Sequence, residues 1–143
     1  MADSEWEDQL ITDIRAHGGR PSAGPLAGHP LMLMYSTGAK SGERRRSILT
    51  YSRDGDDFIV AGTNGGNADR HPAWLTNVEA QPNVTLEIGD QTVEATAQPV
   101  DEPERTRLWD NHVAQLPWFG AYPEKITGRT IPVIRIHPKA ASA

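Results

Sequence analysis

Lys40, Arg44, Arg45 and Arg46 lie within seven residues of one another, in the turn Gly38-Ala39-Lys40-Ser41-Gly42-Glu43-Arg44-Arg45-Arg46 of an otherwise acidic chain. Arginine can fork around the oxygens of a phosphate or carboxylate, and lysine adds a point charge. Gly38 and Gly42 free the backbone for tight curvature and close approach of an anion. Alternate residues of a strand face opposite sides. Arg44 and Arg46 therefore share one face and Arg45 takes the other, so one or two of these side chains reach a single ligand. Composition alone favours a solvated basic hairpin tip over an anion site.

Two further segments could carry chemistry. In Ala61-Gly62-Thr63-Asn64-Gly65-Gly66-Asn67, small residues at a strand end would let a flat ring lie against the backbone. Thr63 and Asn64 could add hydrogen bonds; an ordinary flexible turn is the plainer reading. The spacing matches neither a dinucleotide fingerprint nor a Walker loop. Trp118, Phe119 and Tyr122 could wall a substrate pocket, with Tyr122 offering a proton or hydrogen bond; core filling explains Trp118 and Phe119 equally well. The five histidines, 17, 29, 71, 112 and 137, are scattered and lack the i, i+4 spacing of a zinc helix. No Gly-x-Ser-x-Gly elbow is present. Without a complete acid–base or nucleophilic set, an enzyme of this sequence needs a cofactor for the hard step.

These segments need a frame to hold them. The chain has 143 residues, which suits one domain, and a net charge of -5, which argues against a nucleic-acid binder. It has no cysteine, which excludes disulfides and thiolate chemistry and fits a reducing cytosol. No apolar run reads as a signal peptide or a membrane span.

A helix is expected from the Ser4-x-x-Glu7 capping pattern through Trp6, Leu10, Ile11 and Ile14 to Gly18-Gly19. Its apolar face would pack on the domain or cover the site's mouth, with a peripheral membrane contact as a minor option. Leu31–Thr37 and Arg46–Ser52 read as a hairpin. Asp54-Gly55 is a tight turn before a strand at Phe58–Thr63. A helix over His71–Glu79 opens at Pro72. Val84–Ile88 and Thr92–Ala97 form a second hairpin. A helix with Asp101 and Glu104 as its capping pattern carries Leu108, Trp109, Val113 and Leu116. An aromatic loop, Pro117–Gly128, precedes a last strand at Ile131–Ile136, where Pro132 suggests an edge position or a strand entry. Two hairpins and little strand–helix alternation predict an α+β fold, a mostly antiparallel sheet able to close into a small barrel.

Five blocks, in order, resemble the deazaflavin-dependent nitroreductase family. They are Leu33-Met34-Tyr35-Ser36-Thr37-Gly38-Ala39-Lys40-Ser41-Gly42 with Arg45; Val60-Ala61-Gly62-Thr63-Asn64-Gly65-Gly66; His71-Pro72-Ala73-Trp74-Leu75-Thr76-Asn77; Gln81-Pro82-Asn83-Val84; and Arg129-Thr130-Ile131-Pro132-Val133. The resemblance implies a split β-barrel of the FMN-binding type with flanking helices, and coenzyme F420 as cofactor. It places the phosphate and glutamate tail on the positions of Lys40 and Arg45. The ring falls to Ala61, Gly62 and Thr63, the closing segment to Ala73 and Trp74, and the substrate wall to Tyr122. The candidate cofactor-binding set is thus Lys40, Ser41, Gly42, Arg44, Arg45, Ser47, Ala61, Gly62, Thr63, Asn64, Ala73 and Trp74. Thr63 and Tyr122 are the catalytic candidates, and no metal ligand is expected. The chain departs from the family at Ala39, where a basic residue is frequent, and at Asn64, where lysine is.

The activity so implied is hydride transfer from reduced F420 to a quinone, activated enone or nitroaromatic acceptor. An FMN-dependent reductase on the same barrel is the runner-up. A non-catalytic F420-binding protein and an anion- or nucleic-acid-binding module using Arg44 to Arg46 are further alternatives. Residues 1–30 are expected to form an N-terminal helix and linker, and 31–143 the cofactor-binding barrel, within a single cytoplasmic domain. Monomer and homodimer are both compatible with the sequence.

Overall fold

The structure is a computed structural model that describes residues 2–22, 27–63 and 70–139. Its elements run α1 (Ala2–Ala16), β1 (Leu31–Thr37), β2 (Arg44–Thr50), β3 (Ser52–Asp54), β4 (Asp57–Ala61), α2 (Ala73–Ala80), β5 (Asn83–Ile88), β6 (Gln91–Pro99), α3 (Glu104–Gln115), α4 (Tyr122–Lys125) and β7 (Val133–Pro138). The strands form one sheet in the order β2-β1-β5-β6-β7-β4-β3, antiparallel at each pairing.

That order forces curvature. β2 and β3 stand at opposite edges, yet only Tyr51 separates them in the chain. Laid flat, seven strands would hold those edges about 29 Å apart, whereas one intervening residue spans about 7 Å. The sheet therefore curls until its edges approach at Tyr51, and the expected α+β split β-barrel results.

Alternation sorts the side chains. Met32 and Met34, Phe58 and Val60, Val84 and Leu86, Ala95 and Ala97, and Ile134 and Ile136 point into the barrel, where Trp74, Leu75 and Val78 of α2 close one end. On the outer face, Ile11 and Ile14 of α1 pack on Leu31 and Leu33, and Leu108 of α3 packs on Ile59 and Val133. The apolar stripe of α1 is thus spent mainly on the sheet. Among the described residues, no helix is long and apolar enough to cross a membrane.

Several local expectations shift. α1 begins at Ala2, so Ser4 lies inside it rather than capping it. β2 starts at Arg44 because Thr37 pairs with Arg44 across the hairpin. Glu102, not Asp101, serves the start of α3, accepting the Thr106 N–H at 2.9 Å. The aromatic loop folds into a 3-10 turn, Pro117–Ala121, and α4. Pro132 marks strand entry only, since β7 lies in the sheet interior between β6 and β4.

A charged network closes the outside of the barrel where α3 meets β3, β4 and β7. Arg135 pairs with Asp54, Asp57 and Glu104, and Arg107 with Asp54 and Glu104. Hydrogen bonds from Arg107, then Arg135, hold Asp54 and Glu104 below the ordinary carboxylate range. At Asp57 burial pushes upward, but hydrogen bonds from His137 and Arg135 prevail and lower it. Depressed folded-state values contribute stability above the ordinary pKa values of these groups and lose it as pH falls through the lowered ones. Arg135→Gln is therefore expected to raise the acid-unfolding midpoint, followed by circular dichroism, by a few tenths of a pH unit. An unchanged midpoint would show that the network adds nothing in acid.

Candidate functional site

Two cavities adjoin at the open rim of the barrel. The first, about 490 Å3, is lined by Trp6, Glu7 and Leu10 of α1, Leu31, Ser47 to Thr50, Ala61 and Thr63 at the end of β4, Pro72 to Trp74, and Trp118, Phe119 and Tyr122. The second, about 660 Å3, is lined by Gly38 to Ser41, Arg45 to Ser47, and Ala73, Trp74, Thr76 and Asn77 of α2. Ser47, Ala73 and Trp74 belong to both. The two cavities are thus halves of one groove, aromatic at one end and basic at the other.

The basic half is built by the β1–β2 turn. Gly42 takes a positive φ of 71°, which glycine tolerates and most residues do not. Its N–H donates to the Gly38 carbonyl at 2.9 Å, and the Gly38 N–H donates to the Glu43 carbonyl at 2.7 Å. Ser41 Oγ accepts the Glu43 N–H at 3.1 Å and meets Arg45 Nη2 at 3.4 Å. The Ala39 N–H donates to Asn77 Oδ1 at 3.0 Å, tying the turn to α2.

Register puts Arg45 on the inner face of β2 and Arg44 and Arg46 on the other, although Arg46 as well as Arg45 touches the second cavity. Arg45 lies opposite Ser36, on the same face as Ser47 and the barrel interior. Arg44 lies outside both cavities, its guanidinium 4.1 Å from the centre of the Tyr35 ring. Arg46 pairs with Glu7 and Asp8 of α1 at 3.3 and 3.7 Å. Ser36, beside Arg45 in register, is 2% exposed, and its Oγ has no hydrogen-bond partner among the described residues. A buried hydroxyl left so normally incurs a desolvation cost.

Of the other candidates, Ala61, Thr63, Ala73, Trp74 and Tyr122 line the aromatic half, and Lys40, Ser41 and Ser47 the basic half. Gly42 shapes the turn without lining either cavity. Gly62 also lines neither: a Cβ there would sit 2.5 Å from Pro132 Cγ and 3.3 Å from Pro72 Cδ. Its smallness serves packing between two prolines, not only the approach of a flat ring. Asn64 lies outside the described residues.

Three residues outside the candidate set also contribute. Trp6, 61% exposed, overhangs the aromatic half from α1. His112, one of the scattered histidines, is fully buried beneath that wall. Its Nδ1 meets Ser52 Oγ at 2.7 Å, and its ring sits edge-on to Phe119 at 4.4 Å. Burial pushes its imidazole down to about 4, so it is neutral at ordinary pH. Arg129 donates to the carbonyls of Gly62 and Thr63 at 2.9 and 3.1 Å and to His71 Nδ1 at 2.8 Å. Arg129 carries a sequence signal as the first residue of the Arg129–Val133 block, and Trp6 as a member of the helix face expected to pack on the domain or cover the site's mouth; His112 carries none.

Among the described residues no three His, Asp or Glu side chains gather to hold a metal. The donors instead suit an organic anion joined to a flat apolar group. Lys40 and Arg45 would face the anion, and Ala61, Thr63 and the aromatic wall the flat group. The unpartnered Ser36 hydroxyl lies on the same face as Arg45 but lines neither cavity.

Residues 9–138 match the F420H(2)-dependent quinone reductase family. An F420H(2)-dependent quinone reductase of Mycobacterium tuberculosis strain H37Rv is 39% identical over 82 residues, covering 56% of this chain and 54% of that protein. The chain thus spans about half the length of the curated relatives it first matches. A solved F420-H2 dependent reductase, FDR-A, is 33% identical with a TM-score of 0.68, covering 76% of this chain and 94% of its own. A second solved chain, described as a domain-swapped dimer, is 28% identical with a TM-score of 0.70 and covers 94% and 99%. The chain belongs to the F420H(2)-dependent quinone reductase family.

Proposed function

We propose that this chain binds coenzyme F420 along the two-part groove and reduces quinones with it. The observation that carries the proposal is the sharing of Ser47, Ala73 and Trp74 by a cationic and an aromatic cavity. Reduced F420, when bound, supplies a hydride to an electron-poor acceptor.

The chain's own residues do the rest. Lys40 and Arg45 hold the anionic end, with Ser41 and Ser47 adding hydroxyl contacts and Gly42 keeping the turn in shape. Arg44, stacked on Tyr35, takes no part. Ala61 and Thr63 present a close-approaching backbone to the flat end, and Ala73 and Trp74 close over the waist. Holding both reactants in one groove converts their encounter into an oriented, nearly unimolecular step. Thr63, 7% exposed, offers a hydroxyl at the cavity wall, and the Tyr122 hydroxyl can deliver a proton to the reduced acceptor. The aromatic lining of Trp118, Phe119 and Tyr122 favours a planar, apolar acceptor such as a quinone over a charged one.

Titration of the protein with F420 and, in parallel, with FMN tests this directly. F420 binding followed by oxidation of the reduced cofactor on adding a quinone is the expected result. Tight FMN binding without F420 binding would replace the proposal. F420 binding with no oxidation by quinones, enones or nitroaromatics would leave a cofactor carrier.

A further inference from the structure

The β4–β7 ladder stops where the cavity wall begins, and one side chain takes over from it. Ala61 pairs with Val133, and the Gly62 N–H still donates to the Pro132 carbonyl at 2.8 Å. Pro132 has no N–H to give in return. The carbonyls of Gly62 and Thr63 thus run past the last ladder donor just where Thr63 lines the aromatic half.

Arg129 supplies the missing donors. Its Nη1 donates to Gly62 O at 2.9 Å and to His71 Nδ1 at 2.8 Å, and its Nη2 to Thr63 O at 3.1 Å. Gly62 and Thr63 directly follow β4; His71 precedes Pro72, the residue before α2. One planar guanidinium therefore ties together two adjacent chain segments that both line the aromatic half, Ala61 with Thr63 and Pro72 with Trp74. A rigid fork of donors fixes the spacing of its acceptors in a way a flexible ammonium does not. A guanidinium can only donate, so in this contact His71 Nδ1 is the acceptor.

We infer that Arg129 is a positioning residue for the flat end of the cofactor: it locks the β4 terminus against the start of α2, and so sets the plane in which the ring lies. This rests on the proposed F420 reading. It also separates the two ends of the groove by function. The basic turn supplies grip, and the Arg129 clamp supplies alignment.

The test compares Arg129→Gln and Arg129→Lys with the parent protein, using F420 itself. Parent protein that fails to bind F420 defeats the proposed function and leaves no cofactor for the clamp to align. Given parent binding, Arg129→Gln is expected to weaken F420 only a few-fold, because the basic half still holds the tail. At saturating cofactor, its bound absorption band should move toward that of free F420. Hydride transfer in a single turnover should slow about ten-fold or more, since misplaced reactants lose the orientation effect. Arg129→Lys, which keeps the charge but not the fork, should recover little of either readout. A parent-like band and rate in Arg129→Gln, or full recovery in Arg129→Lys, overturns the inference. His71→Ala, at an exposed position, keeps the test open if an Arg129 variant fails to fold. It removes one of the three acceptors found among the described residues and should shift the band and rate in the same direction by a smaller factor; unchanged values there also overturn the clamp.

Discussion

The double variant Lys40→Ala, Arg45→Ala is expected to bind F420 about a hundred-fold more weakly than the parent. Each charge-assisted contact contributes about 1.5–3 kcal/mol when made to an anion. Full loss of two such contacts would reach about ten-thousand-fold by simple addition, but Lys40 is exposed and Arg45 half-open, so solvent screens both. The unfolding temperature should barely move. Arg45 gives up only a 3.5 Å surface pair with Glu43 and a 3.4 Å contact with Ser41, and such exposed contacts add little to stability. Parent affinity should fall as salt is raised, and the double variant should be less sensitive to it. Arg44→Ala is the internal control. Its guanidinium lies on Tyr35, outside the groove, so F420 affinity should stay within about two-fold of the parent. A titration in which Arg44→Ala weakens binding as much as the double variant would move the anion site to the other face of β2.

What could be read from the sequence, and what could not, divides along the range of the interactions. Alternation in Val84–Ile88 and Thr92–Ala97 is a property of neighbouring residues, and both strands form where it placed them. The basic turn is equally local: its glycines, cations and hydroxyl sit within nine residues and build one side of a cavity. Alternation also separates Arg45 from Arg44 and Arg46. Which of the two faces is the inner one depends on Ser36 standing opposite Arg45, a register fact that lies between strands.

Other features are longer in range still. That β2 and β3 are the two edges of one curled sheet follows from pairings spread across the whole chain. Gly62 looks small for the sake of a flat ligand until Pro132 and Pro72 are seen on either side of it. Arg129 reaches back 66 and 67 residues to its two carbonyls, and no periodicity encodes such a contact. Trp6 looks like one more member of the stripe that seats Ile11 and Ile14. The sequence leaves packing on the domain and covering the site's mouth both open for that stripe, and only the assembled fold assigns the first to Ile11 and Ile14 and the second to Trp6.

The groove's continuity is the point on which the functional reading turns, and Ala73 is where it can be broken. Ala73 stands at the first position of α2, exposed, and lines both cavities. Ala73→Trp puts a bulky ring at the waist without disturbing the barrel core. Exposed helix positions tolerate such a change at a cost of roughly half a kcal/mol, so the unfolding temperature should shift by only a few degrees. A ligand that spans the waist must then abandon one end. Losing about 3 kcal/mol of contacts at either end weakens F420 by about a hundred-fold or more. A deazaflavin fragment without phosphate or glutamate tail needs only the aromatic half, so it should lose much less. The pattern separates a spanning ligand from one lodged in a single cavity. Equal weakening of whole cofactor and fragment would mean that the new ring merely crowds the aromatic half. Undiminished F420 affinity would place the cofactor outside the waist altogether, and with it would go the assignment of Lys40 and Arg45 to one end and Thr63 to the other.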